Sequence, residues 1–382
     1  MLRIVDLGRL GVLRNHAARI LLFGFVYPNY MGLVYVVGYF GASNLGDDLL
    51  LVESMKQILK EISNSQVVIV SHPNKYLASY FPNSSQITPS YFLRSKLRDG
   101  DKIVFAGGGQ FSNFEKPKLE NLWGFSDFLS ILGVRFIIWR WLNKVKGFPY
   151  LIGVGPARGV GARFGSKLLR LSLEKGSVRD TTSQKHLSNC IVGADPVLAT
   201  FELNLELISR SNDSPKKIGI LLRNWDEPSS VINFSKNLVD FLFQKGFNSS
   251  QIEFISFQKD YDQDVYKDPF FNQFDLLSWS PENKTITTFI AQLARFSHIF
   301  SMRAHGIFLA ARLGSNVTPV VIEPKILIAS EQVGLRGQHL SLKSGLEEFA
   351  RINLFNSSPD VKSLTGMNNT NANDQLRNFL RS

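Results

Sequence analysis

The chain has 382 residues, 44% hydrophobic and 20% charged, and its 43 Lys and Arg against 32 Asp and Glu give a formal charge of +11. That length has room for two domains, the 12% aromatic content excludes disorder throughout, and the one cysteine, Cys190, excludes a disulfide framework and a cysteine-based zinc site, so a reducing compartment is the default. The positive surplus calls for an anion: nucleic acid, a membrane surface or an anionic substrate.

Residues 1–30 read as a leader. Leu2, Ile4, Val5, Leu7, Leu10, Val12 and Leu13 alternate with Arg3, Arg9, Arg14 and Arg19, a basic amphipathic pattern that could lie on an anionic membrane or pack on the domain behind it. The apolar run Ile20–Tyr39 is broken by Pro28 and Asn29, so it does not read as a transmembrane helix, and no small-residue cleavage site follows an apolar core.

From residue 31 to 208 short apolar runs alternate with longer amphipathic ones, the pattern of an α/β domain. Leu33–Val37 reads as a buried strand, Asp47–Ile62 as a helix, and Gln66–Val70 and Lys102–Ala106 as further strands. Phe136–Trp139 fits helix or strand. Pro149–Val154 is another apolar run; Lys167–Lys175 and Thr181–Leu187 read as helices around a short strand at Ser177–Arg179. Ser209–Pro215 has linker composition. The pattern restarts over 216–350, with strands at Lys217–Leu222, Gln251–Phe257, His298–Ser301 and Val317–Ile322 and helices at Ser229–Gln244, Ile286–Ala294 and Gly306–Leu313. Residues 357–382 read as a polar, peripheral tail with a last helix at Asp374–Leu380. Two such halves imply a ligand cleft between them, at the carboxyl ends of the strands.

The candidate site residues sit at strand ends. Gly38-Tyr39-Phe40-Gly41-Ala42-Ser43-Asn44-Leu45-Gly46-Asp47 joins a strand to a helix, where glycines let a ligand approach backbone N–H groups and Asn44 or Asp47 can cap the helix. Gly107-Gly108-Gly109 closes another strand. Ser301-Met302-Arg303-Ala304-His305-Gly306 opens a helix with a bidentate anion binder beside a proton carrier. Glu323-Pro324-Lys325 follows the next strand, and Arg179 a shorter one. Asp195-Pro196 reads as a structural turn. Asp260, Asp262 and Asp264 have metal-like spacing without the calcium-loop glycine and glutamate, and read as a solvated loop.

Much of the charge lies between Ile131 and Cys190, where eleven basic side chains face only Glu174 and Asp180. With no basic tail, finger or aromatic-basic RNA signature, nucleic acid is not an expected partner. Mixed with Phe136, Trp139, Trp141 and Phe148, these cations suggest a basic, aromatic flank suited to an acceptor on a lipid diphosphate at an anionic membrane.

Taken in order, Gly38-Tyr39-Phe40-Gly41 with Asn44, Gly46 and Asp47, then the triple glycine, Gly153-Val154-Gly155-Pro156, Val178-Arg179-Asp180, Ala194-Asp195-Pro196, Met302-Arg303-Ala304-His305 and Pro324-Lys325 resemble the polysaccharide pyruvyl transferase family. The resemblance implies two Rossmann-like domains arranged as in GT-B glycosyltransferases. It also implies transfer of pyruvate from phosphoenolpyruvate to a sugar of a cell-surface or exopolysaccharide precursor, forming a ketal. By that resemblance Arg179, Arg303, His305 and Lys325 take the donor-binding and catalytic positions. His305 is the natural proton donor, aided by Asp47 as base, while Gly41, Asn44, Gly108 and Gly109 line the substrate. No cofactor or metal is expected beyond phosphoenolpyruvate as co-substrate. The expected location is cytoplasmic, with a peripheral place at the inner face of the membrane as a further option. Ala304 departs from the family, which commonly has Leu there. The competing readings are a GT-B glycosyltransferase using a nucleotide sugar, with Glu323 recruited to the ribose, and a non-catalytic anion- or membrane-binding protein.

Overall fold

Valine-rich runs set the first sheet. In a computed structural model, residues 32–71, 75–111, 131–143, 145–155, 160–199, 217–225, 227–354 and 369–382 are described. The leader and the linker over 209–215 lie outside them. In chain order the first half contains β1 (Val34–Val37), α1 (Leu45–Ile58), β2 (Val67–Val70), α2 (Lys75–Tyr80), β3 (Ser85–Ile87), α3 (Pro89–Arg94) and β4 (Lys102–Ala106). There follow β5 (Gly109–Gln110), α4 (Ile131–Asn143), β6 (Lys146–Tyr150), β7 (Gly153–Val154), α5 (Val160–Ser172), β8 (Ser177–Val178), α6 (Thr181–His186), β9 (Ile191–Val192) and α7 (Pro196–Ala199). The strands β3-β2-β1-β4-β6 form one parallel sheet in that order. Both faces are covered, so β1 is buried at every position, as β-branched runs in parallel sheets are.

The second half repeats the plan. It contains β10 (Lys217–Leu221), α8 (Pro228–Gln244), β11 (Ile252–Ser256), α9 (Lys259–Tyr266), β12 (Asp275–Ser278), α10 (Ile286–Leu293) and β13 (Phe296–Ser301). Then come α11 (Ala304–Arg312), β14 (Asn316–Pro319), α12 (Pro324–Gln332), α13 (Leu346–Ala350) and α14 (Thr370–Arg381). Its parallel sheet has the order β12-β11-β10-β13-β14. Each sheet therefore reverses winding direction beside its central strand, between β1 and β4 and between β10 and β13. Ligands of open α/β sheets bind in the crevice beyond such switch points.

Three apolar clusters organise the packing. One lies between the first sheet and α3, α4 and α5, through Phe92, Phe136, Trp139, Leu169 and Leu173. Another lies under α8, through Val231, Phe234, Leu238 and Leu242. The third is continuous between the halves, running from Val34, Val36 and α1 to Leu221, Ile255, α10 and α11. Ala304 belongs to this shared core, buried at the start of α11.

Three features differ from the sequence reading. Phe136–Trp139, ambiguous by pattern, belongs to helix α4. Of the aromatics assigned to a basic flank, Phe136, Trp139 and Phe148 are buried in the core and only Trp141 is exposed. The helix expected in a peripheral tail returns to the first domain as α14, burying Ala372, Leu376, Phe379 and Leu380. Phe379 stacks on Phe148 of β6 with ring centroids 4.8 Å apart, Lys102 Nζ donates to the Leu380 carbonyl at 2.7 Å, and Tyr150 Oη donates to Asn373 Oδ1 at 2.7 Å. A polar sequence hid a helix whose few apolar positions share one face.

Two measurements test this packing. Phe379→Ala should destabilise the protein by about 3 kcal/mol in denaturant unfolding, the cost of an aromatic lost from a core; an effect near zero would return α14 to the periphery. Asp48, buried on α1, receives the Trp279 Nε1–H at 3.2 Å, and burial pushes its carboxyl up to about 7 against the hydrogen bonds of Tyr76, Trp279 and Gly41. A folded value above the unfolded one means stability is fully present below pH 4 and lost as pH rises through about 7. Asp48→Asn should therefore gain Tm relative to the parent from pH 4 to pH 8; a constant Tm difference across that range would contradict the assignment.

Candidate active site

The loops beyond the two switch points face each other. The Leu45 N–H donates to the Phe257 carbonyl at 3.0 Å, joining the start of α1 to the end of β11, and Gln332 Nε2 donates to the Arg179 carbonyl at 3.1 Å. Three helices begin here. Asp47 lies in the first turn of α1, His305 in that of α11 and Lys325 in that of α12. The positive ends of three helix dipoles thus converge on one place, an arrangement that favours anions.

Asn44 caps α1: its Oδ1 accepts the Gly46 N–H at 3.3 Å, and its Nδ2 donates to Asp47 Oδ2 at 2.6 Å. It therefore aims Asp47. Gly108, at φ +56°, lies so close that a Cβ there would stand 2.7 Å from Asp47 Oδ1. A Cβ on Gly46 would stand 2.1 Å from His305 Nδ1. The two glycines bring Asp47 and the imidazole to the backbone of the first half. Gly41, at φ +75°, has its amide engaged with the Asp48 carboxylate, and Gly109 pairs in parallel with Gly153 through β5 and β7.

The fully buried carboxylate of Asp195 ties the halves together. Its Oδ1 accepts the Val197 N–H at 3.0 Å, its Oδ2 accepts from Arg179 Nη1 at 2.8 Å, and His305 Nε2 stands 3.6 Å from the same oxygen. Burial alone would raise the Asp195 carboxyl, but the His305 and Arg179 charges and the Val197 N–H outweigh it and hold it below the usual carboxylate range. Asp47 goes the other way: loss of hydration raises it, against the pull of His305, Lys325, Arg179 and Arg303. All four basic side chains bear on this one carboxyl.

The second half supplies two more charge groups. Arg303 Nη2 donates to both Asp262 oxygens at 2.7 Å, and Asp262 is fixed in turn by Ser256 Oγ at 2.9 Å and the Asn224 N–H at 3.1 Å. Glu323 is buried between Arg223, which hydrogen-bonds its Oε1, and Lys325, whose Nζ lies 2.8 Å from that oxygen. Loss of hydration lowers the Lys325 ammonium; Glu323 opposes this, while Arg223 and Arg179 add to it. Arg303 Nε is buried without a hydrogen-bond partner among the described residues, while the nearest acid to His305 Nε2 is the Asp195 carboxylate. Among the described residues no group of three His, Cys, Asp or Glu side chains could hold a metal ion.

The strand-end logic thus gathers Asp47, Arg179, Arg303, His305 and Lys325 into one site. Sequence reasoning missed their partners. Asp195, read as a structural turn, is the bridging carboxylate. Asp262, read with Asp260 and Asp264 as a solvated loop, is a buried residue of helix α9. Arg223 was legible by the same rule as the others, a cation directly beyond a strand.

A sequence model of the family described as polysaccharide pyruvyl transferase matches residues 44–322. No curated protein matches the chain by sequence. Among solved structures, UDP-GlcNAc 2-epimerase of Neisseria meningitidis bound to UDP-GlcNAc aligns with TM-score 0.59 and 10% identity, covering 92% of this chain and 100% of that one. UDP-GlcNAc 2-epimerase of Methanocaldococcus jannaschii gives 0.54 and 11%, covering 92% and 99%. The Anabaena protein HepE in complex with UDP-glucose gives 0.53 and 12%, covering 92% and 100%. At such identities the likeness is one of fold, and the fold is GT-B-like.

The buried pair on Arg303 can be measured. Asp262→Ala leaves a buried guanidinium uncompensated and should cost about 3–5 kcal/mol in denaturant unfolding, whereas the exposed Asp264→Ala should stay within about 0.5 kcal/mol. Equal effects would mean that Asp262 is not the counter-ion.

Proposed function

Because the chain belongs to the polysaccharide pyruvyl transferase family, we propose that it transfers the pyruvyl group of phosphoenolpyruvate to a sugar of a cell-surface or exopolysaccharide precursor and closes a cyclic ketal. The observation that carries this reading is the convergence of Arg179, Arg303, His305 and Lys325 on Asp47 at three helix N-termini. A donor with a carboxylate and a phosphate needs several fixed cations in one place, and arginines suit both groups.

The chemistry asks for one proton donor and one base. Protonation of the donor's methylene carbon makes it a methyl group and leaves positive charge on the central carbon. One sugar hydroxyl adds there, phosphate departs, and a second hydroxyl closes the ring. One hydroxyl proton is balanced by that on the methyl carbon and the other by that on the departing phosphate, so no oxidant or reductant is needed. His305 delivers the carbon-bound proton, and the Asp195 carboxylate beside Nε2 orients its ring. Asp47, its carboxyl raised by loss of hydration, takes the proton of the attacking hydroxyl. Asn44 and Gly108 hold that carboxyl in place. Arg179 and Lys325 bind the donor's anionic groups, and the unpaired Nε–H of Arg303 adds a donor beside them.

Glu323, the acid the nucleotide-sugar reading recruits for a ribose, has its Oε1 engaged by both Arg223 and Lys325. The reading carries a glycan acceptor, lipid-linked or free, and a cytoplasmic site of action.

Incubation with phosphoenolpyruvate and a panel of glycan precursors should give a pyruvyl mass gain by mass spectrometry. His305→Ala should lower turnover at least about 100-fold while leaving the circular dichroism spectrum that of the folded parent. Parental turnover by His305→Ala would remove it from the mechanism. Transfer from UDP-sugars with none from phosphoenolpyruvate would overturn the reading itself.

A further inference from the structure

Helices α4 and α5 pack side by side on the face of the first sheet that points away from the second domain, anchored by Phe136, Trp139, Leu169 and Leu173. Their outward faces are unlike an ordinary solvated surface. On α4, Ile138, Trp141 and Leu142 recur at i, i+3 and i+4 and are exposed, Trp141 at 67% and Leu142 at 74%. On α5, Phe164 and Leu171 are exposed one heptad apart, with Leu171 at 60%. Arg163, Lys167 and Arg170 line the same face of α5 and are exposed. None of the three pairs with an acid among the described residues. The two acids of this region are occupied elsewhere: Glu174 lies 3.2 Å from Arg140, and Asp180 caps α6 through the Ser183 N–H.

We propose that the α4–α5 face docks on an anionic phospholipid bilayer, with Trp141, Leu142 and Leu171 entering the interface and Arg163, Lys167 and Arg170 at the headgroups. The charge chooses among occupants. A second copy of the chain would set like charges against each other, so a symmetric dimer through this face is disfavoured. Nucleic acid would meet the cations but leave aliphatic Ile138, Leu142 and Leu171 in water. An anionic bilayer satisfies both: hydrocarbon for the aliphatics, the interface for a tryptophan, phosphates for the cations. The side chains differ from those a sequence reading selects, because Phe136, Trp139 and Phe148 are core and Arg140 is already paired. The proposal is independent of the transfer reading, since its readout is binding.

Sedimentation with vesicles of equal parts phosphatidylglycerol and phosphatidylcholine should pellet the protein, and phosphatidylcholine alone should not. Each cation near an anionic surface is worth about fivefold in partitioning, so Arg163→Glu/Lys167→Glu/Arg170→Glu should lower binding by more than about 100-fold. Trp141→Ser/Leu142→Ser should lower it about tenfold or more, and that loss should persist at about 1 M salt, where the Debye length is about 3 Å. Both variants change exposed side chains only and should keep the parental Tm and the turnover of a soluble acceptor. Three results would each overturn the proposal: no pelleting with anionic vesicles, equal pelleting with neutral ones, or parental binding by the triple charge reversal. RNA binding that depends on the three cations while vesicles are ignored would assign the face to nucleic acid instead.

Discussion

The site depends on one carboxylate. Asp195 comes from the first domain, caps the short helix behind it, grips Arg179 beside it and stands against His305 of the second domain. A buried anion is costly by itself, and it persists here because two cations and a backbone amide surround it. The same solution recurs around it. Asp262 neutralises Arg303, and Glu323 sits between Arg223 and Lys325. Each charge that faces the site is set by an opposite charge behind it. The guanidinium, imidazole and ammonium groups therefore arrive with their positions fixed, and preorganised groups need little rearrangement when charge develops on a substrate. Asp47 is the contrast: its hydrogen bond comes from the neutral Asn44, so its carboxyl is left responsive to its surroundings.

How much of this was legible follows from what kind of information each part needs. Strands β1, β2, β4 and β10 are central and largely apolar, rich in Val and Ile, so pattern alone finds them. The edge strands β3 and β12 read Ser-Gln-Ile and Asp-Leu-Leu-Ser, too short and polar to stand out. Helix α9 reads Lys-Asp-Tyr-Asp-Gln-Asp-Val-Tyr, and its burial of Asp262 depends on an arginine 41 residues away. The strand-end cations were legible because a strand-to-helix junction is a local feature. Their counter-ions were not, because pairings such as Arg223 with Glu323, 100 residues apart, exist only once the sheet has brought strand ends together.

Two populations of basic side chains stand out among the described residues. Arg179, Arg223, Arg303 and Lys325 are all held by carboxylates, so the site contributes little uncompensated charge. The outer face of α5 carries cations without such partners. Composition alone merges these populations. The structure separates them by place: the first lie at strand ends and helix starts, the second on the exposed face of α5.

The return of α14 to the first domain bears on how the protein is made. Tyr150 and its partner Asn373 are 223 residues apart. At ribosomal rates of about 5–20 residues per second, that separation takes on the order of 10 to 45 s to synthesise. The first domain emerges first and yet is completed last, after the whole of the second has left the ribosome. Through that interval the surfaces of Phe148 and Tyr150 that α14 covers remain open on the nascent chain. Of the two sheets, the one formed by the earlier residues is therefore the one whose packing is closed later.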